Sequence, residues 1–265
     1  MLANLRQVFR YRALISSLVA RELKARYRGS VLGFLWTFAN PLLLLGIYTF
    51  VFTVVMPGSR GGTRLEPYAL FLLCGILPWT WFQSSLVESC SVLVAGGNLI
   101  RKVLFPAEVL PIVTVLTGLV NFALSLLILA AFLAYYARPV SAAELAWLPV
   151  IVLVQLTFTL GLSLLVSSLT VHFRDLRDLV ANLLTLWFWG TPIIYSMSQA
   201  PERFHRLLGL NPLTHLMVAY QSVLFLDGPF DDWPALLWLG LLSLALLAVA
   251  YFVFDRLRDT LAEEV

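Results

Sequence analysis

Six long apolar segments constrain this chain more than any other feature of its sequence. A hydrocarbon core of about 30 Å is crossed by roughly 20 apolar residues in helical form, and these segments meet or approach that length. Charged residues make up only 12% of the chain, which is far below the share in soluble domains. We therefore predict six membrane-spanning segments, at about 31–56, 68–88, 107–136, 145–170, 179–196 and 233–254.

The predicted spans are helices rather than the strands of a barrel. Barrel strands are short segments of about ten residues with alternating polarity, whereas these segments are longer and apolar on every face. The predicted fold class is an all-α integral membrane protein. We do not expect a cleavable signal peptide, because the first apolar run begins only near residue 31 and is too long for one.

The basic residues predict the orientation in the membrane. With six spans, the two termini and the loops after spans two and four share one side, which holds 13 of the 18 Lys and Arg. Basic residues favour the cytoplasmic side, so both termini are expected there. The net charge of +3 then reflects topology and attraction to anionic lipid, and we expect no nucleic-acid partner.

Residues 1–30 are expected to form a cytoplasmic region with an amphipathic helix over 5–28, followed by a transmembrane domain over 31–265. One half of the helical wheel carries apolar side chains and the other half carries basic ones, so the helix should lie in the interface plane. Gly29 and Ser30 provide a bend into the first span. A simple positive-inside anchor is the alternative explanation.

A second cytoplasmic helix is predicted over about 96–106, between spans two and three. Gly96 and Gly97 break the preceding helix, Asn98 can cap a new one, and Pro106 ends it. The side chains of Arg101 and Lys102 would be exposed on this helix. An element of this kind can receive a push from a cytoplasmic partner.

Two further short helices are predicted on the outer side, between spans five and six. They cover 201–209 and 212–226 and are separated by Asn211 and Pro212. Neither is long enough to cross a bilayer. We expect a re-entrant helical hairpin over about 200–228, packed against protein or a water-filled cavity.

The sequence carries no recognisable enzymatic motif. Its two lysines, Lys24 and Lys102, do not follow glycine, so a Walker A loop is absent. No predicted span has a charged residue near its centre, which argues against an ion gradient as the energy source. We therefore expect no ATP, Mg or other cofactor to be held by this chain.

Aromatic residues cluster in two patches, PWTWF at 78–82 and WFWGTP at 187–192. Trp79, Phe82 and Gln83 share one face of the second span. Asn182, Thr185 and Trp189 make one stripe on the fifth. Flat aromatic faces beside hydrogen-bonding groups suit sugar rings, and packing within a helix bundle explains the same pattern equally well.

Four sequence blocks, in order, resemble the permease subunits of ABC-2 type polysaccharide exporters, which carry O-antigen, capsule or teichoic acid. These blocks are RELKARYRGSVLGFLWTFANPLLLLGIYTFVF, NLIRKVLFPAEVLP, HFRDLRDLVANLLTLWFWGTPIIY and LNPLTH. The resemblance covers nearly the whole chain.

The resemblance implies a homodimer that recruits two copies of a separate ATP-binding subunit and moves a lipid-linked polysaccharide through a channel between the two permeases. It also implies that the basic segment at 21–28 transmits closure of the ATP-binding subunit to the first span. The expected contacts with that subunit are Arg21, Lys24, Arg28, Asn98, Arg101, Lys102, Phe105, Arg174 and Asp175. The expected channel lining is Trp79, Phe82, Gln83, Asn182, Thr185, Phe188, Trp189 and Tyr195.

Two other functions remain open on the sequence. One is an ABC-2 permease that exports lipids or drugs, which would differ in the size and aromatic lining of its pore. The other is a membrane enzyme acting on a lipid-linked sugar, with Asp175, Asp178 and Glu108 as candidate metal ligands. No Asp-Asp pair is present on the cytoplasmic side to support that enzyme.

Overall fold

A computed structural model of the chain describes residues 11–55, 67–97, 106–173, 175–226 and 228–264. The helices are α1 (Arg12–Tyr27), α2 (Trp36–Phe50), α3 (Tyr68–Ala95), α4 (Val109–Tyr135), α5 (Ala142–Leu145), α6 (Leu148–His172), α7 (Leu176–Trp189), α8 (Glu202–Leu210), α9 (Pro212–Leu224) and α10 (Trp233–Glu264). No strand occurs among these residues. The predicted all-α class is therefore confirmed for this part of the chain.

Five helical stretches in the described ranges are long and apolar enough to cross a membrane. They are Gly33–Val55, Tyr68–Ala95, Val109–Tyr135, Ala142–His172 and Trp233–Leu257. The stretch predicted as the fifth span is not among them. Its helix, α7, has 14 residues and is about 21 Å long at 1.5 Å per residue.

The prediction that the fifth span continues as a helix to residue 196 is wrong. The helix α7 ends at Trp189, and the chain from Gly190 to Ser196 is irregular. Gly190 caps the helix, and Pro192 lacks the N–H group that a continuing helix needs. Gly190 and Pro192 are both present in the sequence, but the apolar run that contains them predicts one continuous helix.

The centre of the molecule is α3. It packs against α2, α4, α6, α7 and α9, and most of its side chains are buried. By contrast, α2 and α7 bury only a few side chains each, so most of their apolar surface faces outward. These two helices, like α10, therefore leave much of their apolar surface outside the bundle.

Small and polar residues hold α3 to its neighbours. A Cβ at Gly118 of α4 would lie 2.8 Å from Ser85 Oγ and 2.8 Å from Trp81 Cδ1 of α3, so only glycine permits this approach. The buried Gln155 of α6 donates a hydrogen bond from Nε2 to the carbonyl oxygen of Pro78, at 2.8 Å. Inside lipid the hydrophobic effect does not favour helix association. Close packing and hydrogen bonds of this kind therefore hold the helices together.

The helix α1 packs on α4. Its Ile15 and Leu18 are buried in a cluster with Val109, Ile112 and Val113. After α1 ends, Gly29 adopts φ +79°, a left-handed conformation that favours glycine, and the chain turns towards α2. The first part of the predicted amphipathic helix, residues 5–10, lies outside the described residues.

The helices α8 and α9, called the outer helices after the predicted topology, lie where short helices are predicted. They meet at Asn211, which caps α9 by accepting a hydrogen bond from the Leu213 backbone N–H at 3.0 Å. The helix α9 is largely buried, whereas α8 has no buried side chain. The predicted cytoplasmic helix at 96–106 falls mostly on residues 98–105, which lie outside the described residues.

His215 links α9 to the segment that precedes α10. Its Nδ1 lies 3.6 Å from the Asp232 carboxylate, and its Nε2 lies 2.9 Å from the Gly209 carbonyl oxygen. The hydrogen bond with Asp232 raises the pKa of His215 above its ordinary value. Both side chains are partly exposed, which weakens the interaction through solvent screening.

Replacing Gly118 by Ala should destabilise the protein, because the added methyl group overlaps Ser85 and Trp81. Overpacking of this kind costs about 1–3 kcal/mol, and we expect a lower melting temperature in detergent. Gly46→Ala is the matched control, because nothing lies within 4 Å of a Cβ there. Equal melting temperatures for the two variants would show that α3 and α4 adjust freely.

The His215–Asp232 contact should make the outer helices sensitive to pH. Because the folded protein raises the pKa of His215, the interaction is complete below about pH 6.5 and is lost as pH rises through the raised value. Hydrogen exchange in residues 209–224, corrected for its intrinsic pH dependence, should therefore accelerate as pH rises. His215→Gln should remove this change, and a change that persists in the variant would contradict the assignment.

Candidate functional site

An aromatic cluster joins α2, α3 and α7 on one side of the molecule. The ring of Phe188 lies 5.5 Å from Trp79, 5.6 Å from Trp189 and 6.0 Å from Tyr48, measured between centroids. The indole Nε1 of Trp79 donates a hydrogen bond to Gln83 Oε1 at 2.9 Å. The two aromatic patches of the sequence therefore come together at Phe188.

One face of α7 is exposed, and it extends along the helix from this aromatic cluster back towards Asn182. Asn182, Thr185 and Trp189 follow each other at helical spacing and are all exposed, Trp189 to 54%. Tyr195 is half-buried, and its hydroxyl donates a hydrogen bond to the Trp189 carbonyl oxygen at 3.3 Å. This face offers two aromatic rings, an amide and a hydroxyl, together with the exposed apolar side chain of Leu186, to whatever lies beside it.

Two of the expected lining residues are buried within the single chain. Phe82 has no exposed surface, because it stacks on Phe158 and meets the edge of Trp187. Trp79 is only 3% exposed. In this conformation the ring of Trp79 packs against Phe188, and the ring of Phe82 packs against Trp79, at 5.7 Å between centroids; Phe188 itself is half-buried.

Polar side chains hold the irregular segment that follows α7. The Asn211 amide donates to the Gly190 carbonyl oxygen at 3.1 Å and to Thr191 Oγ1 at 2.9 Å. Gln221 Nε2 donates to the Pro192 carbonyl oxygen, and the Tyr68 hydroxyl donates to the Ile194 carbonyl oxygen, both at 2.8 Å. Irregular backbone at membrane depth needs such partners, because lipid supplies none.

Sequence reasoning missed Tyr48 and the role of Asn211. Tyr48 lies in a long apolar run and gave no signal, because its contact with Phe188 depends on how α2 crosses α7. From the sequence, Asn211 is predicted only to separate two short helices. Its side chain also accepts a hydrogen bond from Trp187 Nε1 at 2.8 Å, so one amide joins the end of α7 to the start of α9.

A third region is a pocket of about 430 Å³ between the end of α7 and α8. Its walls include Trp189 and Tyr195 together with Phe204, which is 43% exposed. The exposed face of α7 therefore continues towards the outer helices. The aromatic surface extends beyond the residues that the sequence analysis grouped.

The expected contacts with an ATP-binding subunit divide into two groups. Arg21, Lys24 and Arg28 of the α1 region and Asp175 at the start of α7 are exposed. The remaining five lie outside the described residues: Asn98, Arg101, Lys102, Phe105 and Arg174.

An ion pair missed by the sequence analysis ties α1 to α3. The guanidinium of Arg26 donates a hydrogen bond to the carboxylate of Glu88, 62 residues further along the chain. Together with the packing of Ile15 and Leu18 on α4, this pair attaches α1 to the α3–α4 part of the bundle. A single sequence gives no signal for such a distant pair.

The candidate metal ligands of the enzyme alternative are not grouped. Among the described residues, no three His, Cys, Asp or Glu side chains lie close enough to hold a metal ion. Glu108 is buried, whereas Asp175 and Asp178 are exposed.

Comparison with known proteins gives a consistent picture. The model of the ABC-2 type transporter family matches residues 13–225. The chain is 43% identical to an O-antigen export system permease protein, RfbA, of Myxococcus xanthus, over 268 residues that cover both chains completely. An RfbA of Klebsiella pneumoniae is 34% identical over 92% of this chain and 91% of its own.

A more distant relative is the polysialic acid transport protein KpsM of Escherichia coli. It is 25% identical over 77% of this chain and 78% of its own. The family model covers the chain from α1 to the end of α9, including the segment that follows α7, and the match to the Myxococcus xanthus protein extends over the whole chain. The chain therefore belongs to the ABC-2 type transporter family, and it is a membrane-spanning member of that family.

Proposed function

We propose that this chain is the permease subunit of an ATP-driven exporter that moves a lipid-linked polysaccharide from the cytoplasm across the inner membrane. The cargo is of the O-antigen, capsule or teichoic acid type. The main support is the 43% identity, over the full length, with a protein named as an O-antigen export permease. Both termini lie on the cytoplasmic side, as the basic residues predict.

The proposed transporter is a homodimer with its channel between the two copies. The faces of α2 and α7 that remain outside the bundle support this arrangement, because they are the least buried parts of the described transmembrane region. We place Trp189, Phe188, Tyr195, Asn182 and Thr185 in the channel wall. Trp79, Phe82 and Gln83 form the layer behind them.

Weak and repeated contacts suit a long polymer. A sliding chain must bind well enough to enter but must not be held tightly at any one point. Exposed aromatic rings meet sugar rings through flat apolar faces, while neighbouring amides and hydroxyls exchange hydrogen bonds with sugar hydroxyls. The exposed stripe of α7 offers this combination.

ATP hydrolysis is supplied by two copies of a separate nucleotide-binding subunit. We place its contact surface on the exposed basic side of α1 and on Asp175, and on the cytoplasmic segment 96–106. Because α1 packs on α4 and pairs with α3, a push on α1 reaches α3 and α4 directly. The movement then reaches α2 through the turn at Gly29. This route differs from the expected one, in which the basic segment moves only the first span.

Export of lipids or drugs by a permease of the same family is the second candidate. The apolar cavity between α3, α6 and α7, about 450 Å³ in volume and lined by side chains such as Leu86, Leu183 and Trp187, would suit an acyl chain. The exposed polar and aromatic face of α7 favours a polysaccharide instead.

The isolated chain should not hydrolyse ATP, because no lysine follows a glycine in its sequence. Hydrolysis and polymer export should both require co-expression with a nucleotide-binding subunit. The measurement is phosphate release from the purified chain and from the complex, with export followed in membrane vesicles. ATP hydrolysis by the partner-free chain would refute the division of labour, and a complex that exports only lipid or drugs would refute the polysaccharide assignment.

Replacing Trp189 by Ala should reduce polymer export about fivefold to tenfold, the factor that the loss of an aromatic contact worth about 1–1.4 kcal/mol implies. Membrane abundance should be unchanged, because Trp189 is half-exposed. Trp238→Ala is the matched control, since Trp238 is also exposed but lies on α10. Equal loss of export in both variants would contradict the assignment.

Cysteine labelling tests the same wall without relying on export. Cysteines at Asn182 and Thr185 should react with an aqueous thiol reagent in the assembled transporter, whereas one at the buried Leu184 should not. Equal reaction at all three positions, or none in any nucleotide state, would place the channel elsewhere.

A further inference from the structure

A polar cleft of about 420 Å³ lies between α2, α3 and α4, away from the aromatic cluster. It faces the side of α3 that carries Thr80, Ser84 and Glu88, which is opposite the side that carries Trp79. Its volume is within the range of about 300–1,000 Å³ typical of small-molecule sites. No residue of the proposed channel wall lines it.

Five hydrogen-bond donors in the wall of this cleft are already used within the protein. The hydroxyls of Thr80, Ser84 and Ser125 donate to carbonyl oxygens of their own helices, at 2.8, 3.2 and 2.7 Å. The indole N–H groups of Trp36 and Trp81 donate to Ser30 Oγ and to the Val115 carbonyl oxygen. The hydroxyl oxygens keep lone pairs as acceptors towards the cleft, and the amide of Asn40 can both donate and accept there.

The charge of the cleft is balanced. Arg26 and Glu88 both line it, and they are paired with each other. Asn40, the amide side chain on α2, is exposed towards this space. An anionic or cationic ligand would find its counter-ion already neutralised, whereas a neutral group rich in O–H donors matches the free acceptors.

The position of the cleft indicates where a ligand comes from. Arg26 belongs to α1, the helix that precedes the first membrane-crossing stretch, and Glu88 lies towards the end of α3 from which the chain leads on to the cytoplasmic segment. A headgroup of the cytoplasmic leaflet can reach this region while its acyl chains stay in lipid.

We propose that the cleft between α2, α3 and α4 binds the hydroxyl-rich, uncharged headgroup portion of a lipid from the cytoplasmic leaflet. The hydroxyls belong either to a sugar, as in a glycolipid, or to glycerol, as in phosphatidylglycerol. The sugar source rests on the proposed function, since the cargo carries sugars, whereas the glycerol source does not. The bound headgroup fills the space between α2 and the rest of the bundle.

Lipid retention by the full-length chain tests this site. The protein is placed in nanodiscs of phosphatidylcholine, whose headgroup has no O–H or N–H donor, with small amounts of glucosyl diacylglycerol, phosphatidylglycerol or phosphatidylethanolamine of the same acyl chains. Retained lipid is measured by native mass spectrometry. We expect glucosyl diacylglycerol or phosphatidylglycerol to be retained in preference to phosphatidylcholine.

Variants locate the retained lipid. Thr80→Val and Ser125→Ala each remove one acceptor oxygen and should lower retention about fivefold, the factor that corresponds to a hydrogen bond of about 1 kcal/mol. Thr157→Val is the matched control, because the Thr157 hydroxyl also bonds its own helix, at 2.8 Å, but is exposed outside the cleft. Unchanged melting temperatures establish that the variants remain folded.

The pattern of retained lipids distinguishes sugar hydroxyls from glycerol hydroxyls and tests the proposed site. Retention of the glucosyl lipid alone assigns a sugar site, and retention of phosphatidylglycerol as well assigns a general polyol site. Equal retention of phosphatidylcholine, preference for the ammonium of phosphatidylethanolamine, or equal loss in Thr157→Val would overturn the proposal. Because the assay contains neither ATP nor polymer, its failure leaves the proposed export function intact, and a failure of export leaves the lipid site intact.

Discussion

The absence of hydrogen-bonding partners in lipid governs this structure. Every backbone N–H and C=O group within the hydrocarbon core must be satisfied by the protein itself, so the long apolar segments form helices. The same constraint explains the treatment of the one irregular stretch beside the aromatic cluster. Where the helix ends at Trp189, the side chains of Asn211, Gln221 and Tyr68 replace the missing helical partners.

The helices differ in how much of their surface is buried. This difference separates a central helix that holds the bundle together from helices with exposed faces. The central helix α3 is surrounded by neighbours and is held to them by a glycine contact at Gly118 and a buried amide at Gln155. The helices α2 and α7 are attached along one side only. A stable bundle thus carries two elements whose free surfaces differ, one mainly apolar and one with a polar and aromatic stripe.

Much of this organisation could be predicted from the sequence. Hydropathy identifies the long helices, Gly29 predicts the turn after α1, and Asn211 with Pro212 predicts the boundary between the outer helices. Spacing alone groups Asn182, Thr185 and Trp189. What hydropathy cannot predict is which side of an apolar helix is buried, because inside lipid both sides are apolar.

The features that the sequence did not predict have the same origin. Phe82 shares a helical face with Trp79, yet contacts with Phe158 and Trp187 bury it completely. The pair between Arg26 and Glu88 depends on the packing of α1 against the bundle, which no local pattern encodes. The end of α7 was marked by Gly190 and Pro192, but the apolar run around them outweighed these signals. The short α7 has a consequence for the surrounding bilayer: at about 21 Å it falls short of a 30 Å hydrocarbon core, so lipid beside it must thin or the helix must be shielded by protein. In the proposed topology, in which α7 begins the fifth span, a change in acyl-chain length changes this mismatch and so acts on the protein without any ligand.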